Sequence, residues 1–308
     1  MTSISSFIST ISPSASEISQ VSTSWWNIRN TIQSKLNFVS SSKLTGSYIR
    51  RTKTTPINDL DIFFQLNGKK TRIDWKDREQ KQCRVYVKSW DTANHPLLSY
   101  LVHDSVTWVY FVSPIKIMNQ IKSQIQITYS QTPYIRRNWE CVTVLLSSYW
   151  FTIDCVPYFW VTNESYQLIP TSWGDLYRKK TNPELDAEKI NILNNGNNFD
   201  GRLKWVVKLM KYRNKKKNSW ISFRSYVLEC LVYEALRGKT YLTSYISMIQ
   251  EAISHIYHKE YKVVIDIPGY AYIWFYMSDE QWMRVQNSLN KAYEALSSEN
   301  NFVSYLSN

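Results

Sequence analysis

The chain reads as an α+β protein, with a mixed sheet in its N-terminal half and helices in its C-terminal half. Three observations predict this. Before about residue 170, strand-like runs such as DLDIFFQL, Asp59 to Leu66, alternate with helical stripes. After Asn195-Gly196 the apolar residues keep to helical spacing almost throughout. With 308 residues, 44% hydrophobic and 15% aromatic, the chain can bury a sizeable core in one large or two closely joined domains.

The Ser-rich opening, residues 1–16, predicts a loose arm. Ile18, Val21, Trp25, Ile28, Ile32 and Leu36 recur at helical spacing and predict a first helix from Glu17 to about Phe38, leading into a turn at Gly46. The strand from Asp59 to Leu66 ends at Asn67-Gly68, a strong turn signal, and the charged KKTRIDWKDREQK that follows reads as solvated. Ile115, Met118, Ile121 and Ile125 predict a helix from Pro114 to about Tyr129. Glu140 to Leu146 and Trp150 to Pro157 read as neighbouring strands joined by Ser147-Ser148-Tyr149, with Pro157 stopping the second. Helical stripes follow at Leu203, Val206, Val207 and Met210, then Tyr226, Val227, Cys230, Leu231 and Ala235, then Trp282, Val285, Leu289, Tyr293 and Leu296, with Gly238 and Pro268-Gly269 as breaks. The expected organisation is an arm at 1–16, a sheet-bearing lobe at 17–170 and a helical lobe at 171–308.

Lys and Arg number 37 against 25 Asp and Glu, so the net charge is 37 − 25 = +12, which suits polyanionic ligands such as nucleotides, nucleic acid or anionic lipid. Cys83, Cys141, Cys155 and Cys230 are widely spaced with no CxxC, which argues against a zinc site or disulfide framework and favours a reducing cytosol. The N-terminus lacks an early positive charge and an unbroken apolar core, and no stretch reaches about 18 uninterrupted apolar residues. A cytoplasmic protein without a membrane partner is expected. His255 and His258, at i and i+3, have no third ligand nearby in sequence and read as a polar helix end.

The chemistry centres on three acids. Asp59 and Asp61 alternate along one strand and so project to the same face, where like charges repel unless a cation sits between them. A divalent cation with hard oxygen ligands resolves this; a turn-capping Asp beside a solvent-facing one is the alternative. Asp154, in FTIDCVPYF, is a third acid flanked by apolar residues in a strand, and it would join the other two if the strands pair. Upstream, Gly46 allows close approach of the backbone to a phosphate, and Ser47 offers a hydroxyl donor; an ordinary turn would use the same dipeptide.

GSYIRRT, then DLD, then IDCVPYF, then LKWVVKLMKYRNK together resemble the polymerase-beta-type nucleotidyltransferases, and more narrowly the branch containing cyclic GMP-AMP synthase, oligoadenylate synthase and the bacterial antiphage cyclic-oligonucleotide synthases. The ordered match runs from about Trp25 to Pro268. The resemblance implies a catalytic lobe with a mixed central sheet, a helical second lobe and a nucleotide bound between them. It implies that Asp59, Asp61 and Asp154 hold two Mg²⁺, with Mn²⁺ as a substitute, and that Asp154 accepts the proton of the attacking hydroxyl. It also implies that Gly46, Ser47, Lys211 and Ser225 grip the donor triphosphate, roles that suit a backbone turn, an ammonium and hydroxyls facing developing charge. Without the resemblance, Lys211 reads as a surface lysine and Ser225 as a helix cap. Tyr48 either stacks on a base or packs in the core. A D-P element by the nucleobase is matched loosely by Asp266 in VVIDIPGY, where Ile267 intervenes before Pro268; a turn-capping role is the alternative.

The expected activity is therefore the joining of nucleoside triphosphates, with ATP among them, into a cyclic di- or oligonucleotide second messenger, with release of pyrophosphate, in antiphage signalling through a separate effector and with an activating ligand or protein. Alternatives are a linear oligoadenylate synthase, a template-independent transferase acting on the 3′ end of tRNA or other RNA, and a non-catalytic nucleic-acid sensor. The +12 charge suits an RNA substrate, yet the chain ends soon after the helical lobe. No Cys/His cluster resembles the zinc-bearing DNA-binding loop of the animal cyclic GMP-AMP synthases.

Overall fold

The computed structural model describes residues 3–77, 82–88, 94–146, 151–161, 166–171, 175–180, 182–196, 199–217, 223–260, 262–269 and 272–308, without the side chains of 77, 179 and 180. The N-terminal part runs α1 (Ile4–Ile11), α2 (Ala15–Lys35), β1 (Val39–Leu44), α3 (Gly46–Ile49), β2 (Asp59–Leu66), β3 (Thr71–Asp77), β4 (Gln82–Val87), β5 (Leu101–Asp104), β6 (Val109–Val112) and α4 (Pro114–Thr128). Then come β7 (Tyr134–Arg137), β8 (Val142–Leu146), β9 (Phe151–Val161), β10 (Tyr166–Pro170) and β11 (Tyr177–Lys180). The C-terminal part is α5 (Pro183–Asn195), α6 (Arg202–Lys217), α7 (Ser225–Leu236), α8 (Tyr245–Tyr257), a hairpin of β12 (Val263–Ile265) and β13 (Tyr272–Trp274), α9 (Asp279–Ala295) and α10 (Glu299–Ser307).

These elements form two compact units. A sheet unit holds Ala15–Gly46 and Ile57–Asn182; a helical unit holds Met1–Ser14, Ser47–Pro56 and Pro183–Asn308. The boundary falls at 182/183 and not at 170/171 because β11 pairs with β10 and β4, and two short pieces of the N-terminal region group with the helices, which no local pattern announces.

In the sheet unit the described strands follow the order β1-β2-β9-β10-β11-β4-β6-β5, with β3 on β4, β8 on β9 and β7 on β8. β2 and β9 are parallel while their other described neighbours are antiparallel, so the sheet is mixed, as expected from the sequence. α2 packs on β1 and α4, and α4 also on β7, β8 and β9. α4 starts where Pro114 follows Ser113, whose hydroxyl accepts the Lys116 amide at 3.2 Å, and it buries the Ile117, Met118, Ile121 and Ile125 stripe.

Three expectations fail in this unit and its neighbour, each for a physical reason. The opening is no loose arm: Ile4, Phe7, Ile8 and Ile11 lie on one face of α1 and are all buried in the helical unit's core. At about 1.5–3 kcal/mol each, their burial outweighs the poor helix propensity of the serines between them. The charged segment after Gly68 is not simply solvated. Its described part forms β3, antiparallel to β4, with charges and apolar residues sharing the strand. Nor does Pro157 stop its strand, since β9 continues to Val161. On the edge away from β2, β8 pairs with β9 as far as Cys155 and β10 takes over at Phe159, so Pro157 falls where neither described neighbour faces it. The predicted Ser147-Ser148-Tyr149 turn lies outside the described residues.

The helical unit is built on the predicted stripes of α6, α7 and α9, joined in one core by α1, α5, α8 and α10. Phe7 of α1 meets Tyr212 of α6 edge-on at 5.4 Å between ring centroids. Lys208 of α6 donates to the Ser12 hydroxyl at 3.0 Å just beyond α1.

Candidate active site

The parallel pairing of β2 with β9 sets Asp61 directly opposite Asp154 and Asp59 opposite Thr152. Residues opposed across neighbouring strands point to the same face, and so do residues two apart on one strand. The three carboxylates therefore share one face of the sheet. Strands lie about 4.8 Å apart and i, i+2 neighbours about 6.6 Å apart, so the three are near enough to serve a common ligand. The other face of β2 carries Leu60, Ile62 and Phe64, at most 1% exposed, while Asp59 is exposed and Asp61 and Asp154 are half-buried. Further along the acids' face the residues turn apolar, with Phe63, Val156, Tyr158, Cys141 and Ile169 forming a small buried cluster.

Gly46 is required here by geometry. It has φ +70°, and a Cβ placed on it would stand 2.1 Å from Asp61 Oδ2. The Thr45 amide donates to the Asp61 carbonyl at 2.9 Å, tying the turn to the strand. On the far side of the row, Thr143 of β8 stands opposite Asp154 and donates its hydroxyl to Oδ1 at 2.5 Å. Asp61 thus leans toward the end of β1 and Asp154 toward β8. Among the described residues no three Asp, Glu, His or Cys side chains converge as a ready metal cluster.

The other predicted residues lie in the helical unit. Ser47 and Tyr48 are half-buried in α3, where the Ser47 carbonyl accepts the Thr52 amide and the Tyr48 carbonyl the Arg51 amide, each at 3.0 Å. Ser225 is exposed in the first turn of α7, among amides that have no partner within the helix. Lys211 is not the surface lysine that its basic neighbours suggest. It is 8% exposed, forms an ion pair with Glu229, and donates to the Thr52 carbonyl at 3.2 Å. Burial pulls its pKa down, against the opposing pull of Glu229. Asp266 is only 3% exposed. Its carbonyl closes the turn by accepting the Gly269 amide at 2.8 Å. Asp266 lies near Asp186 and Tyr226 within the unit.

Sequence reasoning missed the group that holds this region. Glu229 of α7 has no exposed surface and takes Arg50 Nε at 2.6 Å and Nη2 at 3.2 Å, along with Lys211. Burial would raise its pKa, but the two cations outweigh it and hold the carboxyl down at about 2. Arg50 also lies 3.9 Å from Asp186 and 5.1 Å from the centroid of the Tyr226 ring, whose hydroxyl donates to Asp186 at 3.0 Å. Burial pushes Asp186 up to about 6. The signal was present: Glu229 interrupts the apolar SYVLECLVYEAL as Asp154 interrupts its strand.

The chain is 31% identical over 204 residues to a probable cyclic nucleotide synthase of Bacillus cereus (strain VD146), a match covering 64% of this chain and 56% of that protein. This match thus extends over little more than half the length of the curated relative. Among solved structures, CdnC of E. coli MS115-1 in complex with HORMA-deltaN superposes with a TM-score of 0.65 at 12% identity, over 96% of this chain and 92% of that one. This chain has the fold of the bacterial Cdn synthases. CdnE cyclic dinucleotide synthase of Elizabethkingia meningoseptica, solved with GTP and Apcpp, matches with a TM-score of 0.59 at 17% identity, over 90% of this chain and 92% of that one. No family model matches. The resemblance read from GSYIRRT, DLD and IDCVPYF thus extends to a Cdn-type fold over nearly the whole chain. No helix among the described residues is long and apolar enough to cross a membrane.

Proposed function

We propose that this chain is a metal-dependent nucleotidyltransferase that joins nucleoside triphosphates, ATP among them, into a cyclic di- or oligonucleotide with release of pyrophosphate. The observation that carries this reading is the β2/β9 register, which brings Asp59, Asp61 and Asp154 onto one sheet face from separate parts of the sequence. The Bacillus relative named a probable cyclic nucleotide synthase and the neighbour solved with GTP and Apcpp support the substrate class. An antiphage role with a separate effector, a cytoplasmic location, and activation by a protein, as the HORMA complex of CdnC suggests, belong to the same proposal.

The donor set fits two Mg²⁺, or Mn²⁺ in their place. It offers hard carboxylate oxygens, and the adjoining Cys141 thiol, pushed up to about 12 chiefly by burial and then by Asp154, stays protonated at neutral pH. Such ions, when bound, neutralise phosphate charge and acidify an attacking hydroxyl. Asp154 accepts the proton of the attacking 2′ or 3′ hydroxyl. Gly46 leaves Asp61 the room that any side chain would take. The exposed Ser225, at a helix N-terminus, suits a phosphate oxygen, with Ser47 as a second hydroxyl donor. For Lys211 to meet a phosphate, its contact with Glu229 must loosen. Tyr48, half-buried, can stack on a base or pack.

The test is to incubate purified protein with each pair of nucleoside triphosphates and Mg²⁺ or Mn²⁺, and to identify products by mass. Small nuclease-resistant products with pyrophosphate release support the reading. Extension of an added RNA would favour the 3′-end transferase instead.

A further inference from the structure

Thr143 is 8% exposed and faces three polar groups at once. Its hydroxyl is 2.5 Å from Asp154 Oδ1, 2.6 Å from Asn138 Nδ2 and 3.6 Å from Cys141 Sγ. The direction of these bonds follows from chemistry alone. A carboxylate can only accept, so the single hydroxyl proton of Thr143 goes to Asp154. The hydroxyl's lone pair then accepts from Asn138, which fixes the amide with its nitrogen toward Thr143. Turning the hydroxyl away would give up its contacts with Asp154 and Asn138 together.

Asn138 is held in turn. It follows β7, and its backbone amide donates to the Cys141 carbonyl at 2.8 Å, closing the β7–β8 turn on itself. The turn, the amide, the hydroxyl and the carboxylate form one chain running along the sheet face.

We propose that Asn138 and Thr143 are positioning residues that fix the orientation of Asp154, so that Oδ1 is spent on the hydroxyl and Oδ2 is left for a divalent cation. The proposal rests on the nucleotidyltransferase reading for the use made of Asp154, but its first readout does not need turnover. Hydrogen-bond partners of metal-binding carboxylates are typically worth 10- to 100-fold in affinity or activity.

The experiment compares wild type with Thr143→Val, which keeps the shape and removes the hydroxyl, and Thr143→Ser, which keeps the hydroxyl. Mn²⁺ binding is titrated by electron paramagnetic resonance on protein without nucleotide, with circular dichroism confirming the fold. The expected result is Mn²⁺ affinity weakened about tenfold in Thr143→Val and within about threefold of wild type in Thr143→Ser. With nucleotide, Thr143→Val lowers kcat at saturating metal while the KM for the donor stays within about twofold, since the donor grip lies elsewhere. Asn138→Ala shows the same pattern more weakly. Equal Mn²⁺ affinity in wild type and a folded Thr143→Val overturns the inference. Wild type that binds Mn²⁺ but joins no nucleotides overturns the parent reading and leaves the metal comparison to decide this one.

Discussion

Replacing Glu229 by Gln keeps its shape and removes its charge, leaving Arg50 and Lys211 buried against each other. Two estimates give the cost. Breaking a buried ion pair by removing one partner costs about 3–5 kcal/mol. Independently, a carboxyl held at about 2 rather than its ordinary 4.5 contributes about 3 kcal/mol at neutral pH. The helical unit comprises about 150 residues, for which each kcal/mol moves Tm by about 2–4 °C, so the expected fall is about 6–20 °C. Thermal unfolding followed by circular dichroism at pH 7 measures it. The sign with pH is fixed: a depressed carboxyl stabilises above its unfolded pKa and loses that contribution as pH falls toward 2. The gap between wild type and Glu229→Gln therefore narrows below about pH 4.5. A triple replacement of Arg50, Lys211 and Glu229 by Met should recover much of the loss, since apolar packing replaces buried ion networks well. A fall of less than about 2 °C in Glu229→Gln, or a triple variant less stable than the single one, refutes the account of Glu229 as the residue that neutralises two buried cations.

The remaining predictions concern both units. Asp59→Asn or Asp61→Asn should abolish nucleotide incorporation; a residual rate above about a hundredth of wild type would sink the two-metal assignment. Gly46→Ala brings a Cβ to 2.1 Å from Asp61 Oδ2 at a positive φ, so product formation should drop at least about tenfold, with a stability loss of about 1–2 kcal/mol from the backbone alone. Asp186, raised to about 6, stabilises when protonated; this contribution is complete below about pH 4 and lost as pH rises through 6. Between pH 7 and pH 5 it should add about 1 kcal/mol, read as a Tm slope that Asp186→Asn abolishes. Phe7→Ala should cost about 3–5 kcal/mol in chemical denaturation, where a loose arm would cost nothing.

What was legible in the sequence was whatever could be decided within one element. β2 matches its predicted bounds because Asn67-Gly68 closes it, and α4 begins at Pro114 because a proline suits the first turn of a helix. The acids were visible because a carboxylate among apolar strand residues is costly unless it has work to do. α1 carried an equally good signal in the spacing of Ile4, Phe7, Ile8 and Ile11, hidden by the serines between them. Pro157 misled because its tolerance depends on where β8 and β10 meet β9, a fact about neighbours rather than about the strand. The burial of Lys211 was likewise invisible, since six basic residues surround it in sequence and only packing shows that it points inward to Glu229. Thr143 within VTVLL looked like an ordinary β-branched strand residue until the register set it against Asp154.

The detour of Ser47–Pro56 into the helical unit sets a timetable on synthesis. Arg50 leaves the ribosome 179 residues before Glu229, which at about 5–20 residues per second is a wait of about 10–35 s. The sheet unit is complete in sequence at Asn182, so its strands can pair while Arg50 and the apolar face of α1 still have no helices to join. The nascent chain must therefore keep a cationic loop and a greasy amphipathic segment exposed until α7 emerges. A ribosome stalled near residue 200 should present both to chaperones, and release beyond residue 236 should withdraw them together.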